Sequence, residues 1–348
     1  MTDADDAALL DHERLAAWMD REGVPGAGEP LETRLITGGS QNEIFEIRRG
    51  GLHCALRRPP LNPPPGRDEG IVREWRIIAA LDGTDVPHTE AIAVCDDPSV
   101  LGGAFYLMGF VDGWSPVGAD AYPPPFDHDP DARRGMALQL VDGIAKLSRV
   151  DWQARGLEGL GRPDGFHDRQ VERWLRFLDR VRSRELPGLD EATEWLQTHR
   201  PLDYVPGIMH GDYQFANVMF GYEVPTRLAA IVDWEMGTVG DPKLDLGWVV
   251  QSWPDDTGEA TQGYTNLAGM PGRDELVEYY AQESGRQVDD IDYYVILARW
   301  KLAIVLEQGY RRYVDGAGDN EKLAMFGPVI LDLMRRAGEL ARSSTYSS

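Results

Sequence analysis

Near Val111 the hydrophobic pattern changes period, and that change dictates two kinds of structure in one chain. Before it, short apolar runs bounded by glycine carry the two-residue alternation of strands: Leu31–Thr37, Glu43–Arg49 and Leu52–Arg58. Gly38-Gly39-Ser40 and Gly50-Gly51 are the intervening turns, the second short enough for a tight hairpin. A Pro-rich loop from Pro59 to Pro65 precedes an expected helix over Glu69–Leu81, and strands are expected over Glu90–Cys95 and Ala104–Val111. An acidic helical segment opens the chain, with Leu9, Leu10, Leu15, Trp18 and Met19 at helical spacing and a stop between Gly23 and Pro30. After a loop from Gly113 to Pro125 the helical period takes over. Met136, Leu140, Ile144 and Leu147 form one stripe, and Val171, Trp174, Leu178 and Val181 another. Helices are expected near Asp274–Ser284, Ile291–Tyr313 and Leu323–Arg342, interrupted only by short strands around Val218–Phe220 and Leu228–Val232. The expectation is an α+β chain of two lobes: a small β-rich lobe over 1–111 and a larger helical lobe over 112–348.

At 348 residues, 42% hydrophobic with 10 Trp, the chain can bury two cores. Its net charge of −23 disfavours non-specific binding to nucleic acid or to anionic membrane. The same acidity fits either a solvated surface or attraction of a cationic substrate. Cys54 and Cys95 are the only cysteines, which excludes a disulfide framework or a cysteine zinc site and reads as two buried thiols in a reducing compartment. The first residues, Met1-Thr2-Asp3-Ala4-Asp5-Asp6, lack a positive, then apolar, leader pattern. No apolar run approaches the roughly 20 residues a spanning helix needs. A cytoplasmic location is the expectation.

The chemistry concentrates in His210-Gly211-Asp212-Tyr213-Gln214-Phe215-Ala216-Asn217 and in Asp233-Trp234-Glu235, which follows the apolar run Leu228-Ala229-Ala230-Ile231-Val232. An aspartate can orient an attacking hydroxyl and accept its proton. An asparagine a loop-length later and an aspartate at a strand end can hold Mg²⁺ against nucleotide phosphates. His210 reads as a structural residue of that loop, and Asp241 and Asp245 as residues that cap the next helix and brace the loop. Ser40, in the Gly-Gly turn, can add a hydroxyl to a phosphate cradle, although such a turn is also an ordinary hairpin. Alternation places Arg57 and Arg58 on opposite faces, so one can point inward to phosphates, paired with Glu74, while the other meets solvent. Tyr106–Val111 reads as a strand whose end offers backbone groups to the edge of adenine, or as a plain core strand.

These residues, in this order, resemble the aminoglycoside phosphotransferase and choline kinase-like superfamily, over about Leu31 to Arg342. Within it, Val232-Asp233-Trp234-Glu235 and Gly240-Asp241-Pro242 look most similar to the kinase-like domains associated with acyl-CoA dehydrogenases. The resemblance implies a bilobal protein-kinase-like fold. It also implies Asp212 as catalytic base, Asn217 and Asp233 as Mg²⁺ ligands, and Arg57 in the place of the usual phosphate-contacting lysine with Glu74 as its helix partner. Met108 falls at the gatekeeper position, with Gly109 and Val111 contacting adenine through their backbones. The cofactors implied are ATP and Mg²⁺, and the partner a small molecule bearing a hydroxyl. No activation segment ending in Ala-Pro-Glu follows Asp233, which argues against a protein substrate. Arginine where the lysine is usual leaves a rival, a non-catalytic nucleotide-binding module. The acyl-CoA dehydrogenase likeness leaves another, a kinase of a hydroxyacyl or other metabolite.

Overall fold

The computed structural model describes residues 9–36, 42–60, 66–118, 122–254, 266–317 and 320–347. The chain forms two compact units. The first comprises Met1–Gly113 with Gln153–Leu157 and Ala229–Gly237; the second comprises Trp114–Trp152, Glu158–Leu228 and Thr238–Ser348.

In the first unit, helix α1 (His12–Arg21) starts one residue after Asp11, whose carboxylate accepts the Arg14 N–H, so Leu9 and Leu10 lie ahead of the helix rather than in it. Strands β1 (Leu31–Ile36), β2 (Glu43–Arg49) and β3 (Leu52–Arg58) form an antiparallel meander. Arg49 opposes Leu52, so Gly50 and Gly51 alone make the hairpin turn, with Gly50 at φ 57°. Helix α2 (Arg67–Leu81), strand β4 (Ala91–Cys95), the single turn α3 (Pro98–Leu101) and strand β5 (Phe105–Gly109) complete the unit, with sheet order β1-β2-β3-β5-β4. Alternation along β3 sends Cys54 and Leu56 into a core with Leu15, Trp18, Phe45, Phe105 and Leu107. Arg57 therefore lies on the other face, the one that holds Glu74 of α2.

The second unit is mainly helical: α4 (Pro130–Arg149), α5 (Phe166–Val181), α6 (Leu189–Thr198), α7 (Lys243–Val250), α8 (Arg273–Ser284), α9 (Ile291–Val314) and α10 (Asn320–Ser343). Both stripes read from the sequence face inward, apart from half-buried Val181. The strands in this part of the chain are β6 (Gly207–Met209), β7 (Val218–Phe220), β8 (Leu228–Ile231) and β9 (Thr238–Gly240), and β6 pairs antiparallel with β9. Helix α9 is the axis of the unit, packed against α5, α6, α7 and α10, and its Tyr293, Tyr294, Leu297, Trp300 and Ile304 are fully buried. A Cβ on Gly247 of α7 would come within 2.6 Å of the Tyr294 carbonyl carbon, carbonyl oxygen and Cβ, so glycine lets the two helix backbones approach closely. That approach brings Asp245 of α7 and Lys301 of α9 beneath the loop between β6 and β7. No described helix is long and apolar enough to cross a membrane.

Candidate active site

The candidate site residues fall in two polar clusters, one in each unit. In the first, the side chain of Arg57 is 8% exposed and lies between two carboxylates: Nε is 2.8 Å from Glu74 Oε2, and Nη2 donates to Asp233 Oδ1 at 2.6 Å. Tyr106, two residues along β5 from Met108, donates its hydroxyl to Glu74 at 3.1 Å. Burial raises the Glu74 carboxyl to about 7 against the opposing pull of Arg57. Burial also works against the Arg57 charge, yet Tyr106, Glu74 and Asp233 more than offset it and hold the guanidinium protonated.

Asp233 is the sole non-glycine among the described residues with positive φ, at φ 64° and ψ 61°. A left-handed aspartate is strained, and such strain persists where surrounding contacts over-determine it. Here Trp234 Nε1 donates to Ile231 O, and Arg73 donates to Gly237 O through Nη2 at 2.6 Å, holding the turn on both sides. The Asp233 side chain remains 39% exposed.

Arg58 departs from the sequence reading. It is buried, not solvated: it pairs with Glu43 at 2.9 Å, donates to Leu9 O and covers the Phe45 ring. The face opposite Arg57 is the core face of β3, so Arg58 becomes a buried strut between β2 and the segment before α1. Strand β5 ends at Gly109, short of Val111, and the Gly109 N–H donates to Glu90 O at 2.9 Å, one step beyond the Ala91–Met108 pair. That bond occupies the Gly109 donor; among the described residues the Val111 N–H makes no hydrogen bond. Met108 is half-buried on β5 opposite Ala55 of β3. Ser40 lies outside the described residues.

In the second unit the loop His210–Asn217 is curled by its own side chains. Asn217 Nδ2 donates to Asp212 O at 2.8 Å and to Asp212 Oδ2 at 2.9 Å, while Gln214 Nε2 donates to Asp212 Oδ1 at 3.0 Å. Asp212 is half-buried. The Asp212 N–H donates to His210 Nδ1, which gives His210 the structural part read from the sequence. Gly211 takes φ 85°, the left-handed value that lets the loop turn just before Asp212.

Asp245, fully buried, accepts the N–H groups of His210 at 2.6 Å and Gly211 at 2.8 Å. Burial raises its pKa, opposed by His210, by those two N–H groups and by Lys301. It braces the loop as expected, but from inside α7 rather than as a cap. The capping falls to Asp241, which accepts the Lys243 N–H and is held by His167 Nε2 at 2.9 Å and by the Tyr294 hydroxyl. Burial would raise the Asp241 pKa, but those partners and Lys243 hold it below the usual carboxylate range.

The structure thus joins Arg57, Glu74 and Asp233 in one cluster, and Asp212 and Asn217 in the other. Sequence reasoning missed Lys301, whose ammonium donates to Gly211 O, and Tyr106 as the ligand of Glu74. Lys301 did leave a signal: the chain has only four lysines, Lys146, Lys243, Lys301 and Lys322.

Asn217 also bears on whether a metal fits. Its nitrogen is committed to Asp212, so its remaining polar atom is the carbonyl oxygen, an acceptor of the kind Mg²⁺ prefers. In the first unit, the half-exposed Asp233 carboxylate is likewise an oxygen donor of the kind a hard divalent cation takes.

Known proteins share this arrangement of elements. A Ralstonia eutropha protein ascribed to the aminoglycoside phosphotransferases has a crystal structure matching at TM-score 0.83 and 31% identity, over 96% of this chain and 98% of that one. Aminoglycoside phosphotransferase APH(4)-Ia, solved as a thermostable mutant in ternary complex with ADP and hygromycin B, matches at TM-score 0.51 and 13% identity, over 92% of this chain and 97% of that one. Among curated relatives, acyl-CoA dehydrogenase family member 11 of Gallus gallus is 29% identical over 327 residues, which is 91% of this chain and 41% of the relative's length. The chain therefore spans about four-tenths of that relative. The fold is the α+β, protein-kinase-like fold. With the phosphotransferase enzyme family model matching residues 32–280, the chain belongs to the phosphotransferase enzyme family.

Proposed function

We propose that this protein transfers the γ-phosphoryl group of ATP to a hydroxyl of a small molecule. The observation that carries this reading is the double hold of Asn217 on Asp212, through the backbone carbonyl and the carboxylate together. It keeps the carboxylate in one orientation, which a base needs if it is to accept a hydroxyl proton as the phosphoryl group departs. Phosphoryl transfer passes through a loose transition state, so positioning and charge neutralisation supply most of the acceleration.

In this reading Asp212 aligns the acceptor hydroxyl and takes its proton. Asn217 and Asp233 would hold Mg²⁺, which supplies neutralisation of the phosphate charge. Arg57, already charged and set by Glu74, steadies the phosphates with its planar fork in place of a lysine. The backbone beyond Gly109, where the Val111 N–H makes no hydrogen bond among the described residues, would meet the adenine edge. Capture of the same-fold APH(4)-Ia with ADP supports nucleotide use.

The likeness to acyl-CoA dehydrogenase family member 11 favours one second reading of the acceptor, a hydroxyacyl compound rather than an aminoglycoside. Incubation of a metabolite extract with MgATP and the protein, followed by mass spectrometry, tests both. The expected result is an ATP-dependent gain of phosphate on one hydroxylated species, reduced ~10²–10⁴-fold with Asp212→Ala while MgADP binding is largely kept. Nucleotide binding without phosphorylation of any species, across a broad panel, would support the non-catalytic rival. Full turnover by Asp212→Ala would refute the base assignment.

A further inference from the structure

We infer that Lys301 is a positioning residue for Asp212: from α9 it holds the peptide that carries Asp212 and supplies the buried positive charge beside that carboxylate. The inference deepens the proposed function and rests on the reading of Asp212 as the base.

The peptide joining Gly211 to Asp212 is held on both sides. Its oxygen accepts from Lys301 Nζ at 3.3 Å, and its N–H donates to His210 Nδ1 at 3.3 Å. One residue earlier, the Gly211 N–H is held by Asp245. A left-handed glycine is the most pliable point of a loop. Bonds from α9 and α7 to the two peptides flanking it remove that freedom and hand the position of Asp212 to the helical core.

Lys301 is itself tightly placed. It is 6% exposed, and Nζ sits 4.8 Å from the ring centroid of Trp248 on α7 and 5.3 Å from that of Trp174 on α5. Two indole rings and one carbonyl form a buried seat for the ammonium, which donates to no carboxylate among the described residues. A buried cation so seated needs nearby negative charge, and the groups facing it are Asp212 and Asp245, with exposed Arg173 of α5 opposing. Burial pushes the ammonium down to about 8, against the pull of both aspartates.

Composition sharpens the point. Lysine and arginine together number 35, and only four of these are lysine. Lys301 is thus one of few lysines in a chain that mostly uses arginine, and lysine alone of the two can release its proton near neutral pH.

The four lysines make a direct experiment possible. In ¹³C-lysine-labelled protein, Lys301→Met identifies the Lys301 signal by its loss. That signal should titrate near pH 8, and Asp212→Asn should move it to lower pH, since a charge favouring the ammonium has gone. In parallel, ADP release from MgATP with water as acceptor reads the catalytic consequence. Lys301→Met should lower kcat about 10–100-fold with KM for MgATP within about two-fold, and abolish the fall in rate above pH 8. Lys301→Arg, which keeps the charge, should recover part of kcat and carry no alkaline fall. A Lys301 signal indifferent to Asp212→Asn, or a Lys301→Met protein with wild-type kcat and alkaline fall, would overturn the proposal. Should the wild type release no ADP with any acceptor, the assigned activity fails, and the titration comparison still decides whether Lys301 and Asp212 are coupled.

Discussion

Asp245→Asn tests how the active loop is held. The wild-type carboxylate accepts two buried backbone N–H groups, from His210 at 2.6 Å and Gly211 at 2.8 Å. Asparagine has one acceptor oxygen where aspartate has two. The bond it keeps changes from charge-assisted to neutral, a loss of about 1 kcal/mol. The other N–H then faces an NH₂ group, and an unsatisfied buried donor costs about 1–3 kcal/mol. Removal of a buried charge returns part of this, because burial disfavours the ionised form of Asp245. The balance is a loss of about 2–3 kcal/mol, and Asp245→Ala, which abandons both donors, should cost more. Urea unfolding read by tryptophan fluorescence measures the stability, and ADP release measures the loop. The loop should loosen enough to lower kcat about 10²-fold, as small misplacements of catalytic groups do. An Asp245→Asn protein within about 0.5 kcal/mol of wild type, at full turnover, would show that the loop is held by something else.

At Asp233 the left-handed backbone separates strain from function. Asp233→Gly and Asp233→Ala both remove the carboxylate and should both weaken Mg-dependent nucleotide binding by calorimetry. Only glycine tolerates φ 64° freely, so the Gly variant should be the more stable by about 1 kcal/mol; equal stability would refute the strain. Glu74 makes a prediction in pH. Its folded pKa is raised to about 7 from 4.5, so between those values the folded state retains a proton that the unfolded state has released. Its contribution to stability therefore declines as pH rises from 4.5 to 7. Thermal melts of wild type should show that decline relative to Glu74→Gln, and parallel curves would contradict it.

Much of this protein was legible from its residues. The change of period near Val111 separated a strand-rich part from a helical one because burial on one face imposes repeats of 2 and 3.6 directly on the sequence. Asp212 and Asn217, close together in the chain, were readable as a pair because a short loop must curl to place both, and His210 was readable as a structural residue of that loop. Helix α6 escaped notice because its apolar stripe is short: Leu189, Ala192, Trp195 and Leu196 are set among three acidic residues, Asp190, Glu191 and Glu194.

What only the tertiary structure decided is which distant residues meet. Alternation showed that Arg57 and Arg58 diverge, yet not that both faces of β3 are covered, which turned Arg58 from a solvated arginine into a buried one. Lys301 drew no reading from the sequence. Its meaning arose when Gly247 let α7 close on α9, and two indole rings and a loop carbonyl surrounded its ammonium. Periodicity records whether a side chain faces the core; the charge and hydrogen-bonding groups that await it there belong to other segments, and only the folded chain brings them together.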